Sequence, residues 1–190
     1  RRLIEARYGA AAERAGILDL AFGESIELDG HRIELLPAGH IPGSAMLFLE
    51  RLDDGATLLH SGDFKTRTAA GAEGHRVRHA DTLIIETTFG LPKFRFPPGD
   101  EVLAAMVKFA VEAIEDGEIP IFMAYALGKA QEILIALHER APGLRFQVHE
   151  SVAKMNEAVA SLGYPVPECD RFNPKERSPE GHVVIVPPNA

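Results

Sequence analysis

The sequence contains one cysteine, Cys169, and no apolar run long enough to cross a bilayer. A single cysteine excludes an intrachain disulfide and favours a reducing compartment, so we expect a cytoplasmic protein. The first residues lack the apolar segment of a signal peptide, and we expect no membrane association. The chain also starts without methionine, which indicates a fragment or a processed form.

Basic residues are fewer than acidic residues, so the 190 residues carry a formal net charge of −8. This charge excludes a general electrostatic attraction to nucleic acid, although a local basic cleft is compatible with it. Acidic metal sites contribute negative charge that bound ions would offset. The length suffices for one large domain or two small ones, each with a buried core.

The first half of the chain is predicted to be rich in strands and hairpins. A helix is expected over residues 1–15. Alternating apolar and polar residues on both sides of Asp29 and Gly30 predict a hairpin, and a second strand pair is expected around Gly55. An apolar run that ends at Glu86 predicts a buried strand. The expected strands cover residues 25–28, 32–36, 45–52, 56–60 and 81–86.

The second half alternates strands and helices, which predicts a parallel sheet covered by helices. Asp100 is expected to cap a long helix that ends near Asp116. Further helices are expected at residues 129–140 and 151–162, and strands at residues 119–125, 144–149 and 182–186. The pattern changes at residues 95–99, so we predict two domains, residues 1–97 and residues 98–190.

Two potential metal ligands, His40 and Asp63, each follow a predicted strand and each lie beside glycine. Imidazole nitrogen and carboxylate oxygen suit a divalent ion such as zinc or manganese. An aspartate of this kind can bridge two metals that activate water for attack on a phosphodiester. The spacing leaves an alternative equally open, in which His40 is a turn residue and Asp63 a loop cap.

Several other polar residues are candidates for the same chemistry. Glu86, at the end of an apolar strand, is either a working acid or a carboxylate that caps the following turn. Lys129 opens a predicted helix whose first amides could hold a phosphate, although a simple helix start fits as well and the spacing is not that of a P-loop. Lys65 and Arg67 flank the motif loops and could contact phosphates, or only solvent.

These segments together resemble a known fold. Ala38-Gly39-His40-Ile-Pro-Gly43-Ser44-Ala45, Ser61-Gly62-Asp63-Phe64 and Ile84-Ile85-Glu86-Thr-Thr resemble the later metal-binding motifs of the metallo-β-lactamase fold. The Glu86 motif and Tyr125-Ala-Leu-Gly-Lys-Ala-Gln-Glu132 resemble its β-CASP branch, which acts on nucleic acids. Residues 88–92, 122–131 and 186–190 are similar to bacterial DNA ligase-associated exonucleases.

The resemblance implies an α/β protein with part of a metallo-β-lactamase αββα sandwich and an inserted β-CASP-type domain with a parallel sheet. His40 would be a histidine ligand and Asp63 would bridge two divalent ions, with zinc expected and manganese as the alternative. Glu86 would orient a ligand or the leaving group. Lys129, Lys65 and Arg67 would contact nucleic acid, with DNA expected before RNA.

The implied activity is metal-dependent hydrolysis of nucleic acid, as a DNA exonuclease in repair with a DNA ligase or helicase as partner. The His-x-His-x-Asp-His motif of the family is absent, so we expect a partial chain that is inactive alone and has exposed sheet edges. Three alternatives stay open. They are a catalytically dead module that binds nucleic acid or a partner, an RNA-processing nuclease, and a metal hydrolase for a small substrate.

Overall fold

The computed structural model describes residues 1–176 and 180–188, so the segment 186–190 extends beyond the described residues. Contacts divide the chain into two compact units. The first consists of Arg1 and Glu13–Phe94, and the second consists of Arg2–Ala12 and the chain from Arg95 onward. The correspondence of these units to the two predicted domains, residues 1–97 and 98–190, stays a prediction.

The N-terminal segment forms two short helices, α1 (Arg2–Tyr8) and α2 (Ala10–Arg14), where one helix was expected. Gly9 separates them with φ of +54°, because a left-handed residue interrupts the helical hydrogen-bond ladder. This break was not apparent from the alanine-rich composition, which favours a continuous helix.

A five-stranded sheet forms the first unit. Its strands, in chain order, are β1 (Ser25–Leu28), β2 (His31–Pro37), β3 (Ala45–Arg51), β4 (Thr57–His60) and β5 (Thr82–Ile84). They lie side by side in the order β1-β2-β3-β4-β5, and neighbouring strands are antiparallel except for the parallel pair β4 and β5. Both predicted hairpins are confirmed, and the turn between β1 and β2 has positive φ at Asp29 and Gly30, as a tight type I′ turn requires.

One face of this sheet carries the core of the first unit. The register places Leu36 opposite Met46 and Phe48 opposite Leu59, so these side chains point to the same side and are buried together. The Arg78 guanidinium lies 4.1 Å from the centre of the Phe48 ring and covers the edge of this cluster. The β2, β3 and β4 strands thus form a rigid support for the loops that follow them.

The expectation that the strand before Glu86 is buried is wrong. Leu83, Ile84 and Ile85 are 55%, 49% and 48% exposed. The reason is position in the sheet, since β5 is an edge strand and no described strand pairs with its outer side. An apolar run indicates a strand, but its burial depends on neighbours that the run does not specify.

From Arg95 onward, the described residues of the second unit form four strands and three helices. The strands are β6 (Ile121–Met123), β7 (Arg145–Val148), β8 (Asp170–Arg171) and β9 (His182–Val186), and the helices are α3 (Gly99–Glu115), α4 (Lys129–Arg140) and α5 (Glu150–Ala160). The strands form a parallel sheet in the order β6-β9-β7-β8, which confirms the predicted α/β arrangement. Its buried core joins the strands to the helices through residues such as Leu134, Phe146, Val152 and Ile185.

Two details of the second unit differ from expectation, the cap of α3 and an additional short strand. Asp100 lies within the first turn of α3, and Pro98 occupies the cap position without a side-chain hydrogen bond. The two-residue strand β8 was not predicted, because so short a segment has no periodicity to detect. The α1 helix packs against α5, where Arg2 Nη1 donates to the Ser161 carbonyl at 3.1 Å. Among the described residues, no helix combines the length and apolar character needed to span a membrane.

Candidate metal and nucleic-acid site

The loop that carries His40 is held in shape by Ser44. The Ser44 hydroxyl accepts hydrogen bonds from the backbone N–H groups of His40 and Ile41, at 3.0 and 3.1 Å. The Ser44 carbonyl accepts from the Ala38 N–H at 2.9 Å, which closes the loop between β2 and β3. These bonds fix the backbone of His40 while its side chain stays exposed at the surface.

The segment after Asp63 runs directly beside this loop. The Lys65 N–H donates to the Ala38 carbonyl at 2.9 Å. Gly39 has φ of +74°, and a Cβ atom built on it would lie 2.6 Å from the Lys65 carbonyl oxygen. Only glycine permits this approach, because a methyl group would overlap that oxygen. The glycine before His40 therefore lets two ligand-bearing segments come together.

Asp63 leaves the end of β4 through a tight turn at Ser61 and Gly62. The Ser61 N–H donates to the Ile84 carbonyl at 2.9 Å, and its hydroxyl donates to the Gly62 carbonyl at 2.7 Å. The Gly62 N–H donates to His60 Nδ1 at 3.2 Å. Asp63 itself is exposed.

Glu86 lies where these segments meet. Its backbone N–H donates to the Ser61 hydroxyl at 3.2 Å, and its carboxylate accepts from the Thr88 N–H at 2.9 Å. The Thr88 hydroxyl and N–H, the Phe64 N–H and the charge of His40 lower the pKa of Glu86, with Thr88 as the largest cause. The carboxylate is therefore kept ionised, half-buried and close to both the His40 loop and the residue after Asp63.

Metal-ligating side chains are too few for a complete centre. Across residues 1–176 and 180–188, no group of three or more His, Cys, Asp or Glu side chains is arranged to hold a metal ion. The donor types of His40, Asp63 and Glu86 suit a divalent ion, but a stable zinc site needs at least three protein ligands. The described residues therefore do not form a complete dinuclear site.

The start of α4 is organised by the buried side chain of Gln131. Its Oε1 accepts from the Gly128 N–H at 2.7 Å, and its Nε2 donates to the Ala126 carbonyl and to Asn156 Oδ1 at 3.0 and 2.7 Å. The Gly128 amide, a candidate phosphate donor in the sequence, is thus already bonded within the protein. Lys129 is half-exposed and pairs with Glu132 at 2.6 Å.

The network continues to the single cysteine. Asn156 Nδ2 lies 3.7 Å from Cys169 Sγ, which donates to the Pro167 carbonyl at 3.3 Å. Burial, with a smaller contribution from the charge of Asp170, raises the pKa of Cys169 to about 12. The thiol is therefore a structural group with almost no thiolate at neutral pH.

Sequence reasoning missed the residues that hold the site together. Ser44 and Ser61 stand inside the motifs, and a serine directly after Pro42-Gly43 is a signal for backbone capping that could have identified Ser44. Gln131 carried the capping-box signal of a glutamine three residues after the cap residue Gly128. Lys65 is half-buried and Arg67 is exposed, and their contact with nucleic acid stays a prediction.

No protein-family model matches the chain. Its sequence is 38% identical to "Probable DNA ligase" of Opitutus terrae over 172 residues, which is 90% of this chain and 16% of that protein. It is 30% identical to "RNase aCSPSF2" of Saccharolobus solfataricus over 64% of this chain and 24% of that protein. It is 30% identical to "DNA cross-link repair 1A protein" of Mus musculus over 56% of this chain and 10% of that protein. The chain thus spans less than a quarter of each of these three relatives.

Proposed function

The chain resembles the β-CASP nucleases of the metallo-β-lactamase fold, including the DNA ligase-associated ones, and from this premise we propose that it is part of a metal-dependent nuclease that hydrolyses phosphodiester bonds. The observation that supports the proposal is a pair of hydrogen bonds between neighbouring segments. The Lys65 N–H donates to the Ala38 carbonyl and the Phe64 N–H donates to the Glu86 carboxylate, so the segments that carry the three motifs are joined through their backbones.

In this proposal, His40 would contribute an imidazole nitrogen and Asp63 would contribute a shared carboxylate to two divalent ions, with zinc preferred over manganese. Such ions supply Lewis acidity and an activated water when bound. Glu86 stays ionised through its bonds to Thr88 and Phe64, so it can orient a ligand or the leaving group. The remaining ligands would come from outside the described residues, as the incomplete donor set requires.

We propose DNA as the substrate in preference to RNA, and exonucleolytic repair as the task. The relative named "Probable DNA ligase" supports this choice, because it contains the matching segment within one much longer polypeptide. RNA is the alternative substrate, because another relative is named as an RNase. Lys129, Lys65 and Arg67 would contact the phosphate backbone, and a ligase or helicase in the cytoplasm, away from membranes, would be the working partner.

A second candidate function is a binding module without catalysis. It is favoured by the lack of a third ligand among the described residues and by the net charge of −8. The two candidates differ in one measurable property, since only the nuclease consumes its bound nucleic acid.

The test is digestion of end-labelled single-stranded and duplex DNA by the full-length protein with zinc or manganese. Asp63→Ala should reduce the rate at least a hundredfold, because loss of a bridging ligand disrupts both metal positions. The matched control is Asp53→Ala, which removes an exposed aspartate paired with Arg51 at a turn and should leave the rate unchanged. Equal rates for Asp63→Ala and the wild type would refute the site assignment.

A further inference from the structure

The loop that follows Glu86 exposes a cluster of large apolar side chains. Phe89 and Leu91 are each 58% exposed, and Phe94 is 39% exposed. Solvent-exposed aromatic rings are costly, and a group of them in one loop commonly marks a binding surface. These side chains belong to residues 87–94, a loop that includes the segment 88–92 of the family resemblance.

Two successive turns give the loop a defined shape. The Gly90 N–H donates to the Thr87 carbonyl, and the Phe94 N–H donates to the Leu91 carbonyl, each at 3.0 Å. The second turn has proline at its second position, where a fixed φ favours the turn. As a result the Phe89 and Phe94 rings meet edge to face, with centres 5.4 Å apart and an angle of 81° between their planes.

A cation lies near one ring of this aromatic pair. Lys93 Nζ is 5.1 Å from the centre of the Phe94 ring, and Arg95 follows in the sequence. Aromatic rings interleaved with cations match the chemistry of single-stranded nucleic acid, whose bases stack and whose phosphates are anionic. A purely apolar protein partner would leave these charges without a function.

We propose that residues 87–94 form a stacking platform for the bases of a nucleic-acid single strand as it enters the site. The inference deepens the proposed nuclease function and rests on it. The platform is continuous with the candidate site, because the Thr88 N–H binds the Glu86 carboxylate and Phe89 is the next residue. The rings would hold bases in a sequence-tolerant manner while Lys93 contacts the backbone.

Fluorescence provides a direct test, because the chain contains no tryptophan. In Phe94→Trp, the indole is the only tryptophan, and a base stacked on it quenches its emission. The probes are a single-stranded DNA of about twelve nucleotides and an abasic strand of equal length and charge, both added in EDTA to prevent cleavage. The matched control is Tyr8→Trp, since Tyr8 is 58% exposed and also lies under a cation, Arg7, at 5.5 Å.

We expect the normal strand to quench Phe94→Trp, and we expect neither the abasic strand with Phe94→Trp nor either strand with Tyr8→Trp to cause quenching. Phe94→Ala should weaken binding of the normal strand by about five- to a hundredfold, the range for one lost base stack. Equal quenching by both strands, or no quenching of Phe94→Trp, would overturn the platform. The assay measures binding without metal and without cleavage. Its result can therefore be interpreted even if the protein proves not to be a nuclease.

Discussion

Substitution of Gly39 by alanine tests the close approach that places the His40 loop against the segment after Asp63. Gly39 has φ of +74°, and its added Cβ would lie 2.6 Å from the Lys65 carbonyl oxygen. Gly55 offers a matched control, because its φ is also +74° but nothing lies within 4 Å of its added Cβ. The two substitutions thus share the conformational strain and differ only in the contact.

The expected costs follow from these two contributions. An alanine in the left-handed region costs about 1–2 kcal/mol, which applies to both variants. The overlap at Gly39 adds about 1–3 kcal/mol, because the backbone of Lys65 must move. Gly39→Ala should therefore lower the free energy of unfolding by about 2–5 kcal/mol, and Gly55→Ala by about 1–2 kcal/mol.

The assay is urea unfolding followed by far-ultraviolet circular dichroism, which gives the free energy of unfolding for each variant. Movement of Lys65 would also break its hydrogen bond to Ala38, so Gly39→Ala should separate the His40 and Asp63 segments. If the two alanine variants agree within about 0.5 kcal/mol, the close approach does not exist and the reasoning about the site is refuted.

Three further predictions concern single groups. Glu86→Gln should lower the free energy of unfolding at pH 7. This loss of stability should shrink as the pH falls through the lowered pKa of Glu86, because the carboxylate stabilises the fold only while it is ionised. Urea midpoints at pH 7 and about pH 3.5 measure the loss, and an equal loss at both pH values would contradict the prediction. The pKa of the Cys169 thiol is raised from 9.0 to about 12, so the folded chain should contain about a thousandfold less thiolate at this residue than the unfolded chain. Cys169 should therefore react slowly with a disulfide reagent at pH 8, and rapid labelling without denaturant would be inconsistent with its burial. Gln131→Leu should lower the free energy of unfolding by about 2–4 kcal/mol, because it leaves the buried Gly128 N–H without a hydrogen-bond acceptor. Lys129→Ala should lower it by less than about 1 kcal/mol, because its ion pair is exposed. Equal thermal or urea stability of the two variants would argue against the buried network.

Local features were the ones that sequence could predict. The hairpin at Asp29 and Gly30 follows from residue types that favour positive φ, and the start of α4 follows from a glycine before a strong helical pattern. The alternation of strands and helices after Arg95 was sufficient to predict a parallel sheet. The turn and the helix start depend on interactions within a few residues, and the sheet type follows from the order of strands and helices along the chain.

Features that depend on residues far apart in the sequence could not be predicted from the sequence. Leu83 is exposed in β5, which pairs with one neighbour among the described strands, whereas the apolar run alone indicates burial. The contact of Gly39 with the Lys65 carbonyl joins residues 26 positions apart, and glycine content alone cannot locate its partner. The ligand types of His40 and Asp63 were visible in the motifs, whereas the backbone bonds that bring their segments together were not.

The metal content of the full-length protein tests the central proposal most directly, namely that His40 and Asp63 belong to a dinuclear metal site. The measurement is elemental analysis of the purified wild type, Asp63→Ala and the control Asp53→Ala after dialysis against zinc-containing buffer. We predict two divalent ions per chain in the wild type and in Asp53→Ala, and fewer than one in Asp63→Ala, because the proposed bridging carboxylate contacts both ions. Two ions per chain in Asp63→Ala, or none in the wild type, would contradict the proposal.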